Sequence, residues 1–144
     1  MLKAGVLGAG HLGKIHLKLL QQSNKYDLVG FYDPSKENAL KVANEFGYRS
    51  FNSIEELIKE VDVVDIVTPT LSHFECAKHA IENGCHIFIE KPITKTVIEA
   101  EAIRTLASQK HVEGQVGHVE RFNPAFTAVK DMIANPMFIE CHRL

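Results

Sequence analysis

The chain has 144 residues, of which 45% are hydrophobic and 24% are charged, a composition ordinary for one soluble globular domain. The net charge of −2 comes from 16 basic and 18 acidic residues without basic clusters, so we expect neither a nucleic-acid nor a membrane partner. The cysteines Cys76, Cys85 and Cys141 have no framework spacing, which indicates free thiols in a reducing compartment and predicts a cytoplasmic protein.

Strand-like apolar runs and helical patterns alternate along the first half of the chain. Gly47 is typical of a helix C-terminus, and Ser53 with Glu56 has the spacing of a capping box. The predicted elements are a strand ending at Leu7, a helix over Leu12–Leu20, a strand over Tyr26–Tyr32, a helix over Ser35–Phe46, a short strand over Arg49–Phe51 and a helix over Ser53–Glu60.

The second half continues the alternation. Capping-box spacing occurs again at Ser72–Glu75 and Thr96–Glu99, and Asn123-Pro124 is typical of a helix start. The predicted elements are a strand over Val61–Val67, a helix from Ser72 to Asn83, a strand over His86–Ile89, a helix from Thr96 to Lys110, a strand over Val116–Val119, a helix from Asn123 to Ala134 and an extended stretch over Met137–Leu144.

Six strands alternating with five helices predict an α/β protein with a doubly wound parallel sheet. Right-handed crossovers on both sides of the first strand give the strand order 3-2-1-4-5-6. The turns that follow the strands then meet at the carboxyl edge of the sheet, where ligands bind in such folds.

A glycine-rich turn follows the first strand as Gly8-Ala9-Gly10-His11-Leu12-Gly13. Glycine at these spacings lets the chain turn tightly, lets the backbone approach a pyrophosphate and lets the helix pack against the strand. The helix N-terminus attracts the anion. Asp33, at the end of the second strand, can accept hydrogen bonds from the adenosine ribose, so we expect a bound dinucleotide. The alternative is a tight turn without a ligand.

Lys91 is the candidate catalytic residue. It lies between Glu90 and Pro92 after the fifth predicted strand, where the nicotinamide of a cofactor would lie. An ammonium group there can bind a substrate hydroxyl or carbonyl and take part in proton transfer. The alternative is a surface lysine paired with a glutamate.

Histidine and cysteine side chains suggest no metal site. His73, Cys76 and His79 recur on one helix face, but His73 and His79 are roughly 9 Å apart along the helix axis. A zinc site needs convergent ligands, so we predict none here. We interpret His16 and His86 as ordinary packing or surface residues.

These motifs together resemble the glucose–fructose oxidoreductase / inositol dehydrogenase / MocA family over essentially the whole chain. They are the glycine turn, Asp33, Thr68-Pro69-Thr70-x-x-His73, Glu90-Lys91-Pro92 and the run Gly117–Pro124. The resemblance implies a Rossmann fold that binds NAD, with NADP as the other candidate, and a cis Lys91–Pro92 bond. It also implies a larger substrate domain, largely absent here, and a homo-oligomer.

The resemblance also implies further cofactor contacts. It places Asp33 and Pro34 at the adenosine end, Thr68, Pro69 and Thr70 along the cofactor, His73 near the nicotinamide ribose, Glu90 at the nicotinamide end, and Arg121 and Asn123 across the cleft. His118 and Glu120 depart from many relatives and are similar to the branch acting on UDP-linked N-acetyl sugars at C3.

The chain is therefore divided into residues 1–122, a dinucleotide-binding domain, and 123–144, a connecting helix and the first strand of a truncated substrate domain. The leading hypothesis is a dehydrogenase that transfers a hydride between nicotinamide and a carbinol of a sugar or sugar nucleotide, although this part alone should be inactive. The alternative is a non-catalytic redox sensor that reads the dinucleotide state.

Overall fold

The structure, a computed structural model, describes residues 1–133, 135–140 and 142. Strands and helices alternate through the first 116 residues, and short helical turns follow. The strands are β1 (Leu2–Leu7), β2 (Tyr26–Tyr32), β3 (Val63–Ile66), β4 (His86–Ile89) and β5 (Gly114–Val116), and the α-helices are α1 (His11–Gln21), α2 (Lys36–Phe46), α3 (Ile54–Ile58), α4 (Thr70–Glu82), α5 (Val97–Lys110) and α6 (Pro124–Val129).

The described strands form one parallel sheet in the order β2-β1-β3-β4-β5, which confirms the doubly wound α/β fold. The predicted strand at Arg49–Phe51 is reduced to an isolated parallel bridge between Ser50 and Phe31 at the outer side of β2. Phe31 holds this bridge with two backbone hydrogen bonds: its N–H donates to the carbonyl oxygen of Arg49, and its carbonyl oxygen accepts the N–H of Phe51. The chain passes so close there that a Cβ on Gly30 would lie 2.3 Å from Arg49 O.

Helices cover the two faces of the sheet unequally. On one face α1 and α2 bury Val6, Leu17, Phe31 and Val42. On the other face α3, α4 and α5 cover the sheet over a larger core, because the connections from the bridge at Ser50 onward cross the sheet in the opposite direction. That core includes Leu7, Leu57, Val64, Ile66, Ile81 and Ile89.

Helix starts follow the predicted caps with one exception. Ser35 and Ser53 accept hydrogen bonds from the first turns of α2 and α3, and Thr96 forms a complete capping box with Glu99. The predicted start at Ser72 is wrong, because α4 already begins at Thr70 with Pro69 preceding it. Ser72 lies inside the first turn and donates its backbone N–H to the carbonyl of Pro69.

The end of the sheet also differs from the prediction. The last strand is Gly114–Val116 instead of Val116–Val119, because tight backbone hydrogen bonds turn the chain after Val116 into a 3₁₀ helix over Val119–Phe122. Helix α6 gives way to 3₁₀ geometry at Lys130, before the predicted end at Ala134, which lies outside the described residues. Of the predicted strand at 137–144, residues 137–140 and 142 are not in a strand, and Cys141, Arg143 and Leu144 lie outside the described residues.

Candidate functional site

The glycine turn has the geometry that its spacing predicts. Gly8 has a φ of 93°, and a Cβ there would lie 2.9 Å from the carbonyl oxygen of Val67. A Cβ on Gly13 would lie 2.0 Å from the carbonyl oxygen of Gly8, so only glycine lets α1 pack this closely. Around Gly10, by contrast, a Cβ would meet no atom within 4 Å. Two glycines are therefore needed by the fold, whereas the third leaves open space for a ligand.

The N-terminus of α1 is suited to an anion. Its N-cap is Gly10, which offers no side-chain oxygen, and the first turn contains no acidic residue. The N-termini of α2, α3 and α5 are instead capped by a serine or threonine side chain. An uncapped helix start next to open space provides N–H donors and a positive dipole end for phosphate oxygens. The residues of the turn, His11 and Leu12 included, thus fit the pyrophosphate of a dinucleotide.

Asp33 joins the glycine turn to the end of β2. Its Oδ2 accepts hydrogen bonds from the backbone N–H of Ala9 and from Asn38 Nδ2, each at 2.9 Å. Its Oδ1 accepts the backbone N–H of Ser35, also at 2.9 Å. A carboxylate has about four acceptor sites, so the three described hydrogen bonds leave capacity for a ribose hydroxyl. The adjacent Pro34 is exposed.

Asn38 is a residue that the sequence analysis missed. Its side-chain amide donates to Asp33 Oδ2 and to the carbonyl oxygen of Ala9, and so it ties α2 to the glycine turn. An asparagine in the first turn of a helix is common, so its type and position carry no signal. Its function becomes visible only when α1 and α2 are placed side by side.

His73 links two of the predicted cofactor loops. The ring is buried, with 1% exposure, and both nitrogens face carbonyl oxygens, Nε2 of Thr68 at 2.8 Å and Nδ1 of Pro92 at 2.9 Å. It therefore connects the loop after β3, which includes Pro69 and leads into α4 at Thr70, to the loop after β4. Because both ring nitrogens face backbone carbonyl oxygens, neither is directed to a ligand. This arrangement favours a role in holding the two loops together over a direct contact with the ribose.

The Glu90-Lys91-Pro92 turn follows β4 at the carboxyl edge. Glu90 is buried and accepts the backbone N–H of Lys91 at 3.1 Å, whereas the Lys91 side chain is exposed. The Lys91–Pro92 bond is cis, as the resemblance implies. A groove of about 730 Å³ runs beside this turn, and its lining includes Leu12, Lys91 and Arg121. The fold thus brings the lysine, the buried glutamate and the start of α1 together.

Asn123 lies apart from this groove lining. Its Oδ1 accepts the backbone N–H of Ala125 as the cap of α6, and its Nδ2 donates to Glu120. Its cofactor contact remains a prediction, since the side chain serves the start of α6.

His16 is the second residue whose importance the sequence analysis missed. Its Nδ1 lies 2.8 Å from Asp65 Oδ2 and its Nε2 lies 3.5 Å from Glu90 Oε1, so it is not a surface histidine. Burial opposes the charged ring, but the hydrogen bond to Asp65 and the charges of Asp65 and Glu90 outweigh it and raise the pKa of His16. Burial also raises the pKa of Asp65, against the effect of the neighbouring imidazole.

The parallel sheet, the glycine turn, the uncapped helix and the partly satisfied aspartate define a dinucleotide-binding domain of the Rossmann type. Residues 2–118 match the oxidoreductase family with an NAD-binding Rossmann fold, the Gfo/Idh/MocA family. The chain belongs to this family.

The chain is similar in sequence to two bacterial dehydrogenases. UDP-N-acetylglucosamine 3-dehydrogenase from Acidithiobacillus ferrooxidans is 38% identical over 144 residues, covering 99% of this chain and 45% of that protein. A solved structure of that enzyme matches 92% of this chain and 43% of its own, with a TM-score of 0.86. The NAD⁺-dependent scyllo-inositol 2-dehydrogenase from Bacillus subtilis is also 38% identical, over 91% of this chain and 40% of that protein.

A solved structure of biliverdin reductase from Synechocystis, in complex with biliverdin and NADP⁺, is 26% identical, with a TM-score of 0.82 over 90% of this chain and 42% of that one. The chain thus spans less than half the length of these relatives. Among the described residues no helix is both long and apolar enough to cross a membrane.

Proposed function

We propose that this chain is the cofactor-binding part of an NAD(P)-dependent dehydrogenase that acts on a carbinol of a sugar or sugar derivative. The observation that carries the proposal is the exposed Lys91 next to the buried Glu90, in a groove shared with Leu12 at the start of α1. A dinucleotide whose pyrophosphate lies on the glycine turn extends toward this turn along the carboxyl edge. The nicotinamide and Lys91 then meet at one place.

The cofactor supplies the hydride chemistry when bound, and the protein supplies position and charge. The glycine turn and α1 hold the pyrophosphate, and Asp33 binds the adenosine ribose. The loop after β3, with Thr68 and Pro69, and the first residue of α4, Thr70, lie along the cofactor. Lys91 binds the oxygen of the reacting carbinol or carbonyl. Its ammonium group stabilises the negative charge that develops on this oxygen in the transition state.

The substrate class that we propose first is a UDP-linked N-acetyl sugar. Two observations support it, namely His118 and Glu120 in the run before Asn123 and the 38% identity to a UDP-N-acetylglucosamine 3-dehydrogenase. Arg121 lines the groove with Lys91, and its guanidinium suits an anionic substrate. Residues 123–144 lead, in this proposal, into a substrate domain, and the whole protein is a homo-oligomer.

A redox sensor is the less supported alternative. A sensor has no need for a lysine at the nicotinamide, and the relatives named above are dehydrogenases and a reductase. Lys91 is therefore the residue that distinguishes a dehydrogenase from a redox sensor.

The test is Lys91→Ala in the full-length enzyme. We expect kcat to fall by a factor of at least about 10², as for loss of a group that acts in the transition state, while the Kd for NAD changes by less than about threefold. Lys110→Ala, which removes a lysine from the far end of α5, is the matched control and should leave kcat unchanged. Equal kcat in the Lys91 variant and the wild type would exclude Lys91 from the mechanism. A full-length protein that binds NAD but turns over no sugar or sugar nucleotide would instead favour the sensor.

A further inference from the structure

A buried carboxylate interrupts the apolar central strand β3. Asp65 is 6% exposed between Val64 and Ile66, and its Oδ1 has no hydrogen-bond partner among the described residues. Replacing a buried ion pair by apolar residues of the same volume is often neutral or stabilising. The Asp65–His16 pair is therefore poorly explained by stability alone, which points to a role in the site.

The pair extends to the cofactor turn through Glu90. His16 Nε2 lies 3.5 Å from Glu90 Oε1, and the other oxygen, Oε2, accepts the backbone N–H of Lys91 at 3.1 Å. A Cβ on Gly117 would lie 2.7 Å from Glu90 Oε1, so a glycine there leaves room for this carboxylate. The chain of contacts Asp65–His16–Glu90–Lys91 thus connects α1 and the centre of the sheet to the candidate catalytic residue.

The protonation state of His16 controls this chain of contacts. Both ring nitrogens face carboxylate oxygens, and only a ring with both protons can donate to both. The raised pKa of His16 keeps that form populated above the pH at which a free imidazole loses its proton. Other titratable groups line the cavities on the two sides of His16, and they are Tyr26, Lys91, His118, Glu120 and Arg121.

We propose that His16 is a positioning residue, which, when doubly protonated, holds Glu90 so that the Lys91 turn receives the nicotinamide end of the cofactor. This inference rests on the proposed function. Loss of one proton removes one of the two donors and releases Glu90 Oε1 or Asp65 Oδ2. The nicotinamide half of the cofactor then binds a less ordered turn, whereas the ADP half, held by the glycine turn and Asp33, is unaffected.

Positioning of Glu90 by His16 depends on pH. The positioning is complete below the raised pKa of His16 and is lost as the pH rises through it. The ratio of NAD affinity to ADP-ribose affinity should therefore fall with rising pH, by about fivefold or more, the lower end of typical coupling between two sites. ADP-ribose lacks the nicotinamide but has the same diester pyrophosphate as NAD, without the terminal phosphate of ADP that titrates in this range. The ratio therefore cancels pH effects on the glycine turn.

The experiment measures the Kd for NAD and for ADP-ribose by calorimetry on the 144-residue chain, from about pH 6 to about pH 9, where histidines titrate. We expect the ratio to be lower and independent of pH in His16→Gln. In the control His79→Gln, which changes a half-buried histidine near Glu55, the ratio should change with pH as in the wild type. His118→Gln should also keep the wild-type profile. Glu90→Gln, which retains the shape of the side chain, should give the same result as His16→Gln. It replaces His16→Gln as the test variant if His16→Gln does not fold.

The possible results separate the two proposals. No binding of either nucleotide to the folded wild type overturns the proposed function and this inference with it. Binding of both with a ratio that changes equally with pH in the wild type and in His16→Gln overturns only the inference. Loss of the pH dependence in His118→Gln instead would assign the titration to the substrate side of the groove and overturn the role of His16.

Discussion

Asp33 shows how one side chain can serve the fold and the ligand together. Its Oδ2 is occupied by the N–H of Ala9 and the amide of Asn38, whereas Oδ1 accepts only the N–H of Ser35 among the described contacts. Oδ1 therefore has the capacity to bind a ribose hydroxyl. The 2′-phosphate of NADP removes that hydroxyl donor and places a second negative charge next to the carboxylate.

We predict that the wild-type chain binds NAD more tightly than NADP by about tenfold, which corresponds to roughly 1.4 kcal/mol. Asp33→Ala should remove most of this preference and weaken NAD binding, because the tether to Ala9 is lost too. The measurement is the pair of dissociation constants for each variant. Asn38→Ala is the matched control, since it loosens the same turn but retains the carboxylate, and should leave the preference intact. Tighter binding of NADP by the wild type would contradict the role of Asp33.

At the scale of elements, the glycines at the junction of β1 and α1 have different roles, one in packing and one in ligand binding. Gly13 lies against the carbonyl of Gly8, whereas Gly10 has a φ of −66°, which any residue adopts, and open space around it. The same substitution at the two positions should therefore have different consequences.

We predict that Gly13→Ala destabilises the fold by about 1–3 kcal/mol, as overpacking does, and lowers the Tm. Gly10→Ala should keep the Tm within a few degrees but weaken NAD binding, because its methyl group occupies the space for the pyrophosphate. Thermal unfolding and calorimetry of both variants check this. Equal losses of Tm in both, or undiminished NAD binding by a folded Gly10→Ala, would show that the two glycines do not divide these tasks.

At the scale of the whole molecule, the described part of the chain contains the elements for cofactor binding but, in the proposed function, only part of the substrate site. The Lys91 groove is open, and residues 119–133 and 135–138 are exposed, including Phe122 and Met132. Relatives of more than twice this length carry further chain beyond the matched part.

We predict that the 144-residue chain binds NAD but does not oxidise or reduce any sugar. Calorimetry and thermal shift with NAD and NADP test the first part, and absorbance of the reduced nicotinamide in the presence of UDP-N-acetylglucosamine tests the second. Measurable turnover by this chain would show that one domain suffices for the reaction. A folded chain with neither heat nor thermal shift would instead remove the cofactor assignment.

The sequence by itself determined the alternation of strands and helices, the fold class, and the positions of the glycine turn after β1 and of Asp33 after β2. Each of these depends on a few neighbouring residues with strong backbone or side-chain preferences. The helix caps at Ser35 and Thr96 are local for the same reason. Only the tertiary structure decided that His16, Asp65 and Glu90 meet. They belong to α1, β3 and the end of β4, and the pairing of β3 with β4 and the packing of α1 on the sheet bring them together. The reduction of Arg49–Phe51 to a single bridge and the burial of His73 between two loops are likewise long-range outcomes, which no local pattern of residues encodes.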